Sequence, residues 1–182
     1  YLSFALGGMP YMGVGRNLAY KKELFYKQKG FAAHHHLPGG DDDLFINGCA
    51  NKDNTAVVID QNAFTYSTPA KGWSEWLSQK ERHNATGKYY KAQHKWVLGA
   101  YMLSQFLFYP LFVAAVITFD WRWVVGVLGL KLLLQGLIFF KSMKKLGESD
   151  LFVLFPLWDI WMFFYYLIFM SSLWKTPKTH WN

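Results

Sequence analysis

The apolar positions of this chain are unevenly spread, and from Trp96 onward they crowd into three long runs. Residues 97–119 carry no charged side chain, and these 23 positions suffice to cross a hydrocarbon core of about 30 Å as a helix. Residues 124–140 form a second run, broken only by Lys131 and Gln135, and residues 151–174 a third, holding Pro156 and Asp159. Asp120-Trp121-Arg122-Trp123 is a very short turn with tryptophans of the interfacial kind, and residues 141–150 make a polar loop. The pattern predicts three transmembrane helices.

Upstream the pattern is mixed. Gly13, Gly15 and their neighbours read as a glycine-rich turn, followed by a helix-like run over 18–29 that stops at Gly30. Residues 44–50 read as a helix. The β-branched run 55–60 and the alternating run 63–67, closed by Thr68-Pro69, read as strands. From Trp73 the period becomes helical, with Trp73, Trp76, Leu77 and Lys80 on one face, which suits a membrane interface as well as an ordinary surface helix.

Composition sharpens this picture. Hydrophobic residues make up 52% of the 182 and charged ones only 17%, an imbalance that the three runs account for. The formal net charge is +7, with a pI near 9.4, which raises nucleic acid as a partner. The placement of the charge removes that reading. Lys80, Arg82, Lys88, Lys91 and Lys95 precede the first run and Lys141, Lys144 and Lys145 fill the second loop, against Arg122, Lys175 and Lys178 on the other side. Such asymmetry places residues 1–95 and the 141–150 loop in the cytoplasm and the C-terminal tail opposite. A single cysteine, Cys49, excludes an internal disulfide framework or a multi-cysteine zinc site, and its helical context makes it a small core residue.

Candidate chemistry centres on Gly39-Gly40-Asp41-Asp42-Asp43-Leu44. Three adjacent carboxylates behind a flexible Gly-Gly suit a loop that presents one of them to a reaction as a general base. They equally suit an acidic turn that caps the helix beyond. His34-His35-His36 precedes the triplet, but adjacent side chains in a loop do not converge readily on one ion, so no metal site is assigned. Lys131 and Asp159, costly in lipid, should face protein and pair with each other, or Lys131 should snorkel.

Three motifs stand in order: Gly13-Val14-Gly15-Arg16-Asn17-Leu18-Ala19-Tyr20-Lys21-Lys22, then Gly40-Asp41-Asp42-Asp43, then Gln79-Lys80-Glu81-Arg82-His83 before the first apolar run. The ordered set resembles the second half of the membrane-bound family 2 glycosyltransferases, relatives of cellulose, chitin and hyaluronan synthases and of ceramide glucosyltransferase. In that family an acceptor-side turn precedes an acidic pair, which precedes QxxRW on an interface helix and then membrane spans.

The resemblance implies the C-terminal part of an α/β glycosyltransferase-A type domain over residues 1–72. An interface helix with the QxxRW-like segment follows at 73–95, three transmembrane helices at 96–175, and a tail at 176–182. It implies an inverting transfer of a sugar from a nucleotide-sugar donor to a lipid-linked or polysaccharide acceptor. Asp42 becomes the first candidate for the base, with Asp41 and Asp43 in neighbouring registers. Gln79 and Arg82 would hold the donor diphosphate, and Gly15, Asn17 and His83 would face the acceptor, His83 standing where the family has Trp. A divalent Mg or Mn is expected in the complete enzyme, with its ligands mostly upstream of Tyr1, because no D-x-D occurs outside the triplet. This reading expects a fragment of a longer enzyme, inactive alone, in a membrane such as the bacterial inner membrane. The rival readings are a non-catalytic membrane-anchored binding protein and a small transporter using Lys131 and Asp159.

Overall fold

The computed structural model describes residues 1–32, 34–35, 37 and 39–173. Its helices are α1 (Leu2–Leu6), α2 (Lys22–Lys27), α3 (Asp43–Cys49), α4 (Trp73–Thr86), α5 (Ala92–Thr118), α6 (Trp121–Leu146) and α7 (Phe155–Phe169). Short 3-10 helices lie at Gly15–Asn17, Gln61–Ala63, Gly87–Tyr89, Ser149–Leu154 and Met170–Leu173. Among the described residues two compact units result: 1–97 together with 169–173, and 98–168.

The first unit corrects the α/β expectation, because no strand occurs among its described residues. Residues 55–60 form neither helix nor strand, with Thr55, Val57 and Ile59 half-buried and Ala56, Val58 and Asp60 exposed. The period of two is therefore real, but no backbone partner lies alongside to make a ladder. The second expected strand is interrupted at its start by the Gln61–Ala63 turn, in which Asp60 accepts from the Asn62 N–H at 2.8 Å. The helix expected over 18–29 shrinks to α2, because Leu18 and Lys21 are extended.

Phe45, Ile46 and Cys49 of α3 form the core of this unit, with Leu18, Leu24, Phe25 and Ala50 packed on them. Aromatic rings extend it: Tyr20 lies 4.7 Å from Phe45 and Phe31 5.1 Å from Phe25, centre to centre. Cys49 is a buried core residue, as its context predicts. In α4 the Glu75 carboxylate reaches back to accept from the Lys71 N–H at 2.9 Å, one residue before the N-cap Gly72. The Trp76 ring meets Trp73 edge-on and lies below the Lys80 ammonium, while Trp73 itself is exposed. Trp76 also meets the ring of Phe169, which is buried. The last residue of the third apolar helix thus meets α4. Lys175 and Lys178, which enter the charge count, lie outside the described residues.

The second unit contains most of the three helices long and apolar enough to cross a membrane: Ala92–Thr118, Trp121–Leu146 and Ser149–Phe169. Most of their large apolar side chains are exposed, as lipid-facing surfaces are. α6 ends on Gly147, whose φ of 74° is the left-handed conformation that closes helices. Ser149–Leu154 folds back along α6, with Phe152 on Phe140 and Phe155 against Gly136. Inside the bundle Asp159 of α7 pairs with Lys131, and accepts from the Tyr109 hydroxyl and from the Gln135 amide at 2.8 Å. One carboxylate thereby joins α5, α6 and α7. The charge of Lys131 is met by that carboxylate and by the Phe108 ring face at 4.2 Å, which satisfies the costly pair internally.

Candidate active site

The acidic loop owes its shape to its glycines. Gly39 and Gly40 have φ of 122° and 91°, where other residues are strained. A Cβ on Gly40 would lie 2.6 Å from Leu44 Cδ1, so the loop can close on α3 only without a side chain there. The three carboxylates that follow have three different surroundings.

Asp41 is exposed. Asp42 is half-buried and is the N-cap of α3, its Oδ1 accepting from the Asp43 N–H at 2.7 Å. Its Oδ2 accepts from the Gly15 N–H, also at 2.7 Å. Gly15 approaches so closely that a Cβ would stand 3.2 Å from that oxygen. Asp43 is buried, and its Oδ2 accepts from the Thr86 hydroxyl and, at 2.8 Å, from the Tyr90 hydroxyl. Burial, and then the charge of Asp43, push the Tyr90 phenol well above its ordinary value, so it stays protonated and donating. Asp43 Oδ1 is buried without a hydrogen bond.

The acceptor-side turn expected at Gly15 and Asn17 therefore meets the acidic loop directly. Asn17 Nδ2 donates to the Ala63 carbonyl at 3.0 Å and Arg16 to the Ser67 hydroxyl, so residues 61–67 strap the turn in place. Neither contact was legible in the sequence, where the partners lie about fifty positions apart.

The QxxRH segment reaches the same place through α4. Gln79, Arg82, His83 and Thr86 are spaced three and four apart, which puts them on one helix face, and Thr86 touches Asp43. His83 is surface-exposed, yet protein around the ring partly desolvates it and, with Lys80 next, lowers its pKa against the opposing pull of Asp42 and Asp43. His83 is thus within electrostatic reach of both carboxylates. Gln79 and Arg82 are half-buried on the same face.

Four residues that sequence reasoning missed hold this assembly together: Thr86, Tyr90, Asn47 and His94, all buried. The available signal was Asn47, one turn after Asp43 on a helix otherwise apolar on that face. Of the histidine triplet, His34 and His35 do not join the site: His35 Nδ1 turns to the Ala32 carbonyl at 2.9 Å, and His34 packs beside Phe31. His36 lies outside the described residues. Among the described residues no three His, Cys, Asp or Glu side chains are grouped to hold a metal ion. Comparison with protein families, curated proteins and solved structures finds no match to the chain.

Proposed function

We propose that this chain is the acceptor-side and membrane part of a membrane-bound inverting glycosyltransferase that moves a sugar from a nucleotide-sugar donor to a lipid-linked acceptor. The observation that carries the reading is the meeting of three motif segments in one unit: the Gly15 turn on Asp42, the α4 face on Asp43 through Thr86, and His83 on that same α4 face.

The geometry divides the labour of the triplet. Each oxygen of Asp42 accepts a backbone N–H, so Asp42 is the clamp that holds the Gly15 turn to α3. Asp43 is sealed against Thr86 and Tyr90 and orients α4. Asp41, the exposed member, takes the role of base, one register before the position that the family motif favours. The acceptor hydroxyl gives its proton to the Asp41 carboxylate as its oxygen bonds to the anomeric carbon. The bond from that carbon to the diphosphate oxygen breaks, and its electron pair leaves with the nucleoside diphosphate. Arg82 meets that diphosphate with paired donors, with Gln79 one turn before it. His83 offers a planar face to the acceptor.

The carboxylates present do not fit a divalent-ion site, since the oxygens of Asp42 and the Oδ2 of Asp43 are turned to protein donors. The Mg or Mn expected for the complete enzyme is therefore assigned to residues other than these, and no step is routed through it. The test is Asp41→Asn in the complete protein, which should lower transfer about 10²- to 10⁴-fold, the usual contribution of a general base, while membrane insertion is unchanged. Transfer that persists with Asp41, Asp42 and Asp43 all neutralised would leave a membrane-anchored binding protein instead.

A further inference from the structure

Asn47 stands one turn after Asp43 on α3 and is 3% exposed. Its neighbours Leu44, Phe45 and Ile46 fill the core, and a leucine in its place would fill the same space. Instead a primary amide is buried there, and its hydrogen bonds reach three separate segments. Oδ1 accepts from the Lys91 N–H at 2.8 Å, just before α5 begins. Nδ2 donates to the Tyr11 carbonyl at 2.8 Å and to His94 Nδ1 at 2.9 Å. The orientation of the amide is dictated by its partners: a backbone N–H only donates and a carbonyl only accepts. The amide hydrogen is thereby aimed at His94 Nδ1. His94 is itself buried, in the first turn of the first apolar helix.

We propose that Asn47 is a positioning residue that fixes the height of the acidic loop relative to the first turn of α5. The inference rests on the glycosyltransferase reading and gives it a spatial requirement. A membrane presents a lipid-linked hydroxyl at a set depth, and transfer needs reacting atoms about 3–3.5 Å apart. The base must be held at that depth, not merely near it. From Asn47 to Asp43 is a single helical turn, a rise of about 6 Å. The loop carrying Asp41 is thus one rigid turn away from the amide that grips α5. A buried polar group with every partner satisfied specifies one register where an apolar side chain would allow several.

The test uses the complete membrane protein with Asn47→Leu, His94→Leu and His94→Asn, the last retaining an oxygen acceptor near the place of Nδ1. Asn47→Leu and His94→Leu should each lower kcat by about tenfold or more with donor KM unchanged, whereas His94→Asn should stay close to the parent. Hydrogen exchange gives a readout that is independent of transfer: amides of Gly15–Asn17 and Asp43–Cys49 should lose protection in both leucine variants while Trp73–Thr86 keeps it. Unchanged kcat and unchanged exchange in the leucine variants would overturn the proposal. So would equal loss of protection in Trp73–Thr86, which marks general unfolding, or a His94→Asn variant as impaired as His94→Leu. If the parent transfers no sugar, the functional reading fails, and the exchange pattern alone decides whether Asn47 holds the loop.

Discussion

At the scale of single residues, His83 reports on the charge around the site. Burial and Lys80 lower its pKa while Asp42 and Asp43 pull the other way, so the ring is neutral at pH 7. Protonation of a base whose folded pKa is depressed favours the unfolded chain. The stability contribution is therefore full above the unfolded value of about 6.5 and is lost as pH falls through the lower folded value. Lys80→Ala should raise the His83 pKa and Asp42→Asn should lower it further, as followed by NMR titration of the ring. A His83 pKa that responds to neither substitution would remove it from the neighbourhood of the carboxylates. Tyr90 and Thr86 carry a different lesson. Each is an ordinary side chain in the sequence, and its meaning comes only from Asp43, over forty positions away. Buried polar partnerships of that range leave no local period to read.

At the scale of elements, what was legible follows what repeats. The helix from Trp73 and the apolar runs show a period or a length, and α4, α5 and α6 appear where these predict. The run 55–60 shows its period too, yet alternation reports which side chains face inward, not whether the backbone finds a partner. Glycines make the element scale testable. Gly40→Ala places a side chain at φ 91° and within 2.6 Å of Leu44, and should cost about 1–3 kcal/mol. Gly48→Ala, in the same α3 but with open space around its Cβ, should stabilise by about 0.5–1 kcal/mol through helix propensity. Thermal unfolding in detergent should move in opposite directions for the two. A shared direction would mean that α3 is not the helix on which the acidic loop is built.

At the scale of the whole molecule, the contact between Phe169 and Trp76 bears on arithmetic rather than packing. Phe169 closes α7, yet its ring lies edge-on to Trp76 at 5.8 Å, in the unit that also contains the start of α5. A chain whose departure from and return to one unit lie on a single face of a bilayer has crossed it an even number of times. Three helices are long and apolar enough to cross, so if that contact holds in the bilayer one of them falls short of a full crossing. The helix to ask this of is α7, whose 15 residues span about 22 Å by themselves and reach crossing length only together with Ser149–Leu154 before them. Its contacts agree: Asp159 bonds Tyr109, and one turn later Phe163 meets Tyr109 and Phe106, stepping back along α5 instead of onward. In a Cys49→Ala background, cysteines placed at Ser78 and at Ser171 should therefore react with an impermeant reagent from the same side of the membrane. Labelling from opposite sides would restore the odd count that the lysines and arginines predict, and would mean that Phe169 leaves Trp76 once the chain is in lipid.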